Sequence, residues 1–332
     1  MKKILLTGGT GYIGSHTAVE LLNENYEVVL LDNLANSKKS IVDKITEITG
    51  KKPKFYEADI RDEHTLAKIL AKEKPDAVIH FAGLKAVAES VAKPLEYYEN
   101  NVVGTLNLLK AMKEQNIKTL VFSSSATVYG EQPVAKLDET MPTGASISNP
   151  YGETKHVIEE MLFDLAIAEP DWQITILRYF NPIGAHQSGK IGENPNDIPN
   201  NVLPIILKVH SGEIAEFQIT GIDFPTPDGT GIRDYVHVVD LARGHLAALK
   251  NIHSGVAVYN LGTSHGTSVR ELVDLFEQAS GKTLNKSEAP RRPGDIAEVY
   301  ADPSRAKQEL DWQTELTVEQ ALADALHFLE QN

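Results

Sequence analysis

The segment Thr7-Gly8-Gly9-Thr10-Gly11-Tyr12-Ile13-Gly14 limits this chain more than any other. It follows a short aliphatic run, Lys3–Leu6, and leads into a helical pattern from about Tyr12. Its glycines fall as G-x-x-G-x-x-G. Gly8 permits a tight turn, Gly11 lets the backbone approach a pyrophosphate, and Gly14 allows a helix to pack closely on a strand. Helix N-terminal N–H groups and the helix dipole then favour phosphate charge. An ordinary strand–helix turn carries similar glycines, so the context matters. The next strand candidate, Tyr26–Leu31, is followed by Asp32, 18 residues beyond Gly14, where a ribose-binding carboxylate belongs. A carboxylate there accepts hydrogen bonds from both ribose hydroxyls and repels a 2′-phosphate, which favours NAD over NADP. Lys38 and Lys39 stand nearby and temper that preference. Asp59, after the third strand, is placed to reach an adenine amino group or to cap a helix.

The first half of the chain alternates short apolar runs with helical stretches. Lys54–Tyr56, Ala77–Phe81, Thr119–Ser123 and Ile174–Arg178 read as further strands. Ser15–Asn25, Asp62–Lys72, Leu95–Gln115 and Tyr151–Ala168 read as helices. This alternation means βαβ units on a parallel sheet, and strands as apolar as Ala77-Val78-Ile79 suit a sheet covered on both faces. After about Asn181 the pattern changes, with Pro and Gly clustered in 194–201 and 225–231. Helical signals return at Leu203–Ser211, Val239–Lys250, Val269–Ser280 and Leu316–Gln331, with a strand at Val256–Leu261. The expected fold is α/β: a Rossmann-type doubly wound parallel sheet with a smaller mixed α/β C-terminal substrate lobe. Residues 1–180, with returning segments near 234–262, form the NAD-binding part, and 181–332 mainly form the substrate lobe.

Tyr151-Gly152-Glu153-Thr154-Lys155 has the form Y-x-x-x-K, which sets both side chains on one helix face. A phenol titrates near 10, so a base working near neutrality needs it lowered by about three pH units, roughly 4 kcal/mol. A lysine ammonium and a positively charged nicotinamide ring supply such a shift. The pair follows a strand ending in Ser123-Ser124-Ser125, where open α/β sheets bind ligands. Ser125 is the hydroxyl expected to share a substrate oxygen with Tyr151.

Composition excludes other classes. The 332 residues carry a net charge of −14, which repels nucleic acid and anionic membrane, and no dense basic patch offsets it. Zero cysteines exclude disulfides, thiolate nucleophiles and zinc–thiolate sites and suit the cytoplasm. The 11 histidines show no zinc-like spacing, so no metal is expected. The apolar start ends at Thr7, too short for a signal peptide, and no run approaches a membrane span.

The glycine loop, Ser125, Tyr151 and Lys155 resemble the extended short-chain dehydrogenase/reductase superfamily. More narrowly, His80-Phe81-Ala82-Gly83-Leu84-Lys85-Ala86-Val87, Pro94–Tyr98, Ser123–Gly130, Leu177–Pro182 and Gly231–Val238 resemble the UDP-galactose (UDP-glucose) 4-epimerase family over nearly the full length. The resemblance implies reversible interconversion of UDP-glucose and UDP-galactose through NAD-dependent oxidation at C4, rotation of the 4-keto sugar and reduction on the opposite face, with Tyr151 moving the proton. It implies cofactor contacts from Gly8, Gly11, Tyr12, Ile13, Gly14, Asp32, Asn33, Asn36, Ser37, Asp59, Ile60, Phe81, Ala82, Gly83, Lys85, Asn100, Ser125, Tyr151, Lys155 and Phe180. For the UDP-hexose it implies Ser125, Tyr151, Asn181, Asn201, Val202, Gln218, Ile219, Thr220, Arg233, Arg292 and Asp295, the arginines gripping the diphosphate. It also implies a homodimer through the helices at Leu95–Gln115 and Tyr151–Ala168, whose Val102, Leu106, Leu109, Met112, Val157, Ile158, Met161, Leu162 and Leu165 are candidate interface residues.

Val299 stands where some relatives carry Tyr in the sugar-pocket wall, although the neighbouring Tyr300 leaves that alignment open by one place. A smaller wall leaves room for a 2-acetamido group and for UDP-N-acetylhexosamines. Three alternatives are weighed. A nucleotide-sugar 4,6-dehydratase needs an Asp-Glu pair after the hydroxyl residue, where this chain has Ala126 and Thr127. A uronate 4-epimerase wants a further cation near the sugar. A non-catalytic NAD-binding regulator has no need of Tyr151 and Lys155.

Overall fold

The computed structural model describes residues 2–195, 201–291 and 295–332. The chain runs β1 (Lys3–Thr7), α1 (Tyr12–Asn23), β2 (Glu27–Asp32), α2 (Ile41–Thr49), β3 (Lys54–Glu57), α3 (Glu63–Glu73) and β4 (Ala77–His80). Short helices α4 (Val87–Ala92) and α5 (Pro94–Tyr97) lead through a π-helical turn (Tyr98–Val103) into α6 (Gly104–Glu114). There follow β5 (Thr119–Ser125), β6 (Lys136–Leu137), α7 (Pro150–Ala168), β7 (Gln173–Tyr179), β8 (Asn181–Ile183), α8 (Val202–Ser211), β9 (Phe217–Thr220), β10 (Ile232–Arg233), β11 (Tyr235–His237) and α9 (Val238–Lys250). The remainder is β12 (Gly255–Leu261), β13 (Thr267–Ser268), α10 (Val269–Ser280), β14 (Lys286–Ala289), β15 (Glu298–Ala301), α11 (Ser304–Leu310) and α12 (Val318–Gln331).

Seven parallel strands form the main sheet in the order β12-β7-β5-β4-β1-β2-β3. The order reverses beside β1, and ligands bind at such a switch point, beyond the strands' C-terminal ends. The strands are apolar on both faces because a helical layer covers each one. Leu6, Leu30, Ile79 and Val121 pack on one side with residues of α1 and α9. Leu5, Leu31, Val78 and Phe122 pack on the other with residues of α3, α6 and α7. The Rossmann-type doubly wound α/β expectation therefore holds, including the return of the strand near Val256. A separate core joins α8, α10 and α12 through Leu203, Ile206, Leu272, Phe276 and Leu322.

The helix expected over Leu95–Gln115 is present and continuous from Pro94 to Glu114, with a π-helical turn between α5 and α6. The extra residue of a π turn offsets the helical register, and no apolar period reveals that beforehand. Of the apolar residues offered as an interface, Leu109, Met112, Ile158 and Leu162 are buried in the chain's own core, while Val102, Met161 and Leu165 pack against it. Leu106 is outward-facing as expected, and beside it the exposed apolar face carries Val87, Val91, Leu95, Tyr98 and Val103, with Ile167 on α7. Among the described residues no helix is long and apolar enough to cross a membrane.

Candidate active site

The site begins at the β1–α1 turn. Gly8 sits at φ +67°, and a Cβ there would lie 2.7 Å from the Ala82 nitrogen. Its N–H donates to the Leu31 carbonyl at 2.8 Å, fixing the loop to β2. A Cβ on Gly14 would lie 2.3 Å from the Gly8 carbonyl oxygen, so α1 approaches the loop as only glycine allows. A Cβ on Gly11 would meet only that same oxygen, at 3.2 Å, which leaves the space over the helix N-terminus open. Ile13 packs into the core, and the Tyr12 hydroxyl donates to the Gly184 carbonyl at 2.7 Å.

Asp32 ends β2 beside this turn. Its carboxylate accepts from the Thr10 N–H (3.1 Å), the Leu34 N–H (2.9 Å) and the Ser37 hydroxyl (3.0 Å). Asn33 accepts from the Ala35 N–H at 3.1 Å and donates to Asp59 at 2.9 Å, and Asn36 lies in the same loop. Asp59 does not cap a helix, since Asp62 takes that place on α3. Arg61 hydrogen-bonds the Asp59 carboxylate and holds it well below the usual carboxylate range. Ile60 puts its side chain into the core. An open glycine cradle, a dipole end and a carboxylate 18 residues on fit a dinucleotide of the NAD type.

The loop after β4 forms the second wall. Phe81 leans on His245, with ring centres 4.7 Å apart, and Ala82 lies beneath Gly8. A Cβ on Gly83 would sit 3.8 Å from Lys155 Nζ, so this loop closes on the α7 lysine. Lys85 reaches across to Glu193 at 2.8 Å. Its side chain is half exposed, so water softens the desolvation that would lower its ammonium, and the Glu193 carboxylate leaves it raised. Asn100 donates to the buried Asn101 at 2.9 Å.

Ser125, Tyr151 and Lys155 come together at the C-terminal end of β5. Asn149 caps α7 and Pro150 occupies its first turn, so the helix starts directly before Tyr151. Lys155 is buried, its Nζ donating to the Ser123 carbonyl at 2.6 Å and lying 4.8 Å from the Phe122 ring centre. Burial lowers it to about 8. Burial raises the Tyr151 phenol above its ordinary value, opposed by the nearby Ser125 hydroxyl and by the charge of Lys85. A second cation, Lys85, also bears on the phenol, in addition to the Lys155 that the sequence pointed to. Ser125 also accepts from the Thr127 hydroxyl at 3.0 Å.

The substrate side is assembled from distant segments. Asn181 on β8 lies opposite Tyr235, and its N–H donates to the Asp234 carbonyl at 2.9 Å. Arg233 on β10 pairs in register with Val299 on β15, and its guanidinium donates to the Ile232 carbonyl at 2.8 Å. Val299 packs with Phe180, Tyr129 and Leu137. Asn201 caps the start of α8 and donates to Glu193 at 2.9 Å, and Val202 packs on the α8 core. On β9, Gln218 is exposed, Thr220 half-buried and Ile219 buried in the core. Asp295 is half-buried, and Arg292 lies outside the described residues. No group of His, Asp or Glu among the described residues is arranged to hold a metal.

Sequence reasoning missed Glu193, Asn101 and the buried Glu159–Arg178 pair. Glu159 did carry a signal, since it continues the spacing of four from Tyr151 and Lys155.

Comparison with known proteins agrees with this geometry. Residues 4–262 match the family model "NAD dependent epimerase/dehydratase family". A UDP-glucose 4-epimerase of Bacillus subtilis is 52% identical over 99% of this chain and 97% of its own. Another from Haemophilus influenzae is 53% identical over 99% and 98%. The crystal structure of UDP-glucose 4-epimerase from Bifidobacterium longum, in complex with NAD+ and UDP, superposes with a TM-score of 0.97 at 51% identity, covering 100% of this chain and 99% of that one. On the match over residues 4–262 and the full-length relatives at about half identity, the chain belongs to the NAD-dependent epimerase/dehydratase family, alongside the UDP-glucose 4-epimerases.

Proposed function

We propose that this chain interconverts UDP-glucose and UDP-galactose by inverting C4 of the hexose. The observation that carries this is the Tyr151 phenol, set one helical turn from buried Lys155 and within the influence of Ser125 and Lys85, beside the glycine cradle. The glycine cradle of Gly8, Gly11 and Gly14 with Asp32 would hold NAD, which would supply reversible hydride acceptance at C4 and a positive charge to assist the phenol. Tyr151 Oη removes the proton of the sugar 4-hydroxyl and later gives it back. Ser125 Oγ hydrogen-bonds the same sugar oxygen and orients it. Lys155 and Lys85 supply the positive potential that makes the phenolate accessible. Arg233 and Arg292 bind the diphosphate, with Asn181, Asn201 and Asp295 holding the nucleotide. The UDP is then gripped while the keto sugar turns, because binding energy sits away from the reacting ring.

In this reading residues 1–180 with 234–262 carry the cofactor and the rest of 181–332 carries UDP. The half-buried Val299 leaves room for a 2-acetamido group, so UDP-N-acetylhexosamines are second substrates. The outward Val91, Leu95 and Ile167 are 62%, 81% and 78% exposed, and they cover themselves in a homodimer through α4 to α7. With no cysteine to oxidise, the chain suits a reducing compartment, and we place it in the cytoplasm.

The test is incubation with UDP-galactose and assay for UDP-glucose, with and without added NAD. Product is expected, and its absence after NAD supplementation overturns the reading. Tyr151→Phe should lower turnover by about 10²- to 10⁴-fold while NAD stays bound. Undiminished turnover removes the acid–base assignment.

A further inference from the structure

Tyr151, Lys155 and Glu159 stand at intervals of four on α7 and form one stripe on its surface. The third member is fully buried and has no part in the chemistry described above. Its Oε1 accepts from Arg178 Nε at 3.1 Å and its Oε2 from Arg178 Nη2 at 2.6 Å. The Ser124 hydroxyl donates to Oε1 as well. Ser124 and Arg178 pair in register on β5 and β7, directly before Ser125 and Tyr179. The Arg178 guanidinium rests 4.8 Å from the Tyr129 ring centre, which fixes it on its far side.

A buried ion pair is a poor device for stability, since well-packed apolar residues usually do as well. This one lies one helical turn beyond a buried lysine. Lys155 faces Tyr151 and Glu159 from its own helix, Phe122 and the Ser123 carbonyl from β5, His80 from β4 and Gly83 from the loop after β4. Arg178 stands behind Glu159 from β7. His80 is kept neutral by burial and by the Lys155 charge, and Lys85 bears on Tyr151. Among the described residues no carboxylate bonds Lys155 directly, and Glu159 is the one whose charge opposes its burial.

We propose that Glu159 is a positioning residue whose carboxylate, clamped by Arg178 and Ser124, keeps Lys155 protonated beside Tyr151. Arg178 sets how much of that negative charge Lys155 experiences. This rests on the acid–base assignment to Tyr151 and Lys155, so the test includes a readout that needs no turnover. The Lys155 Nζ resonance is followed by ¹⁵N NMR against pH in the full chain, assigned with Lys155→Met, and the alkaline limb of the turnover profile is measured alongside. Glu159→Gln should move the Lys155 midpoint down by about one pH unit, a tenfold change in proton affinity. Arg178→Met should move it up, since the carboxylate is then uncompensated. The double variant should fall between wild type and Glu159→Gln. Glu159→Asp should restore most of the shift. Unmoved midpoints, or single variants that shift the same way, overturn the proposal. If Glu159→Gln does not fold, the double variant leaves no unpaired charge, and a wild-type midpoint there overturns it equally. A chain without epimerase activity whose Lys155 still shifts as stated would sink the function and leave this electrostatic role standing.

Discussion

Gly14→Ala tests the link between the glycine loop and cofactor binding. The added Cβ would lie 2.3 Å from the Gly8 carbonyl oxygen, 3.0 Å from the Gly9 Cα and 3.1 Å from the Gly8 carbonyl carbon. All three are backbone atoms, so no side-chain rotation relieves the clash. Reaching 3.0 Å from that oxygen requires a displacement of at least 0.7 Å. Gly8 cannot yield freely, because its N–H is bonded to Leu31 and it sits against Ala82. Overpacking of this kind costs about 1–3 kcal/mol. Alanine regains about 1 kcal/mol over glycine inside a helix, so the net loss of stability is about 0–2 kcal/mol. The phosphate contacts suffer more. Losing one charge-assisted hydrogen bond costs about 1.5–3 kcal/mol, or roughly a 10- to 150-fold weaker affinity for NAD. Calorimetric titration of the cofactor-stripped chain with NAD, beside a thermal scan, measures both quantities. Gly50→Ala is the control: its φ of +69° strains an alanine but its Cβ meets nothing within 4 Å, so stability should fall without any loss of NAD affinity. A folded Gly14→Ala chain that binds NAD within twofold of wild type refutes the reasoning.

Three further outcomes are expected. Val299→Tyr should abolish turnover of UDP-N-acetylglucosamine and spare that of UDP-glucose. Loss of both, or of neither, would remove Val299 from the pocket wall. Leu95→Asp, at the most exposed large apolar side chain among the described residues, should make the chain sediment as a monomer if the proposed dimer uses this face, and an unchanged dimer would place the interface elsewhere. Burial holds His16 and His80 down to about 3 and His245 to about 4. The unfolded chain binds a proton on each near pH 6.5, so stability is full above that value and drains as the pH falls toward 4. At pH 5 each histidine withdraws about 2 kcal/mol. Asp234, Glu20 and Glu139, raised by burial, act in the opposite sense and offset part of this. Urea midpoints should therefore be lower at pH 5 than at pH 7.5, and equal midpoints would contradict it.

Much of the site was legible from local pattern. Gly8, Gly14 and Asp32 announce their roles because turn conformation, close packing and strand termination are settled by a few neighbouring residues. Tyr151 and Lys155 are legible for the same reason, since a helix brings residues four apart onto one face. Other features carry no such trace. The π-helical turn differs from an α-helix by one residue and leaves the apolar pattern almost unchanged. The stripe Leu109, Met112, Ile158 and Leu162 looked as suited to a partner as to a sheet, and the core claimed it.

Local pattern carries the βαβ order, the glycine turn, the acidic strand end and the Tyr–Lys spacing, all set by contacts within about a helical turn or along one strand. Long-range packing is what brings Lys85 to Glu193, sets Arg233 in register with Val299, and clamps Glu159 with Arg178 one turn beyond Lys155. These partners are far apart in the chain and meet through sheet register and packing, where residue identity alone leaves many pairings equally open.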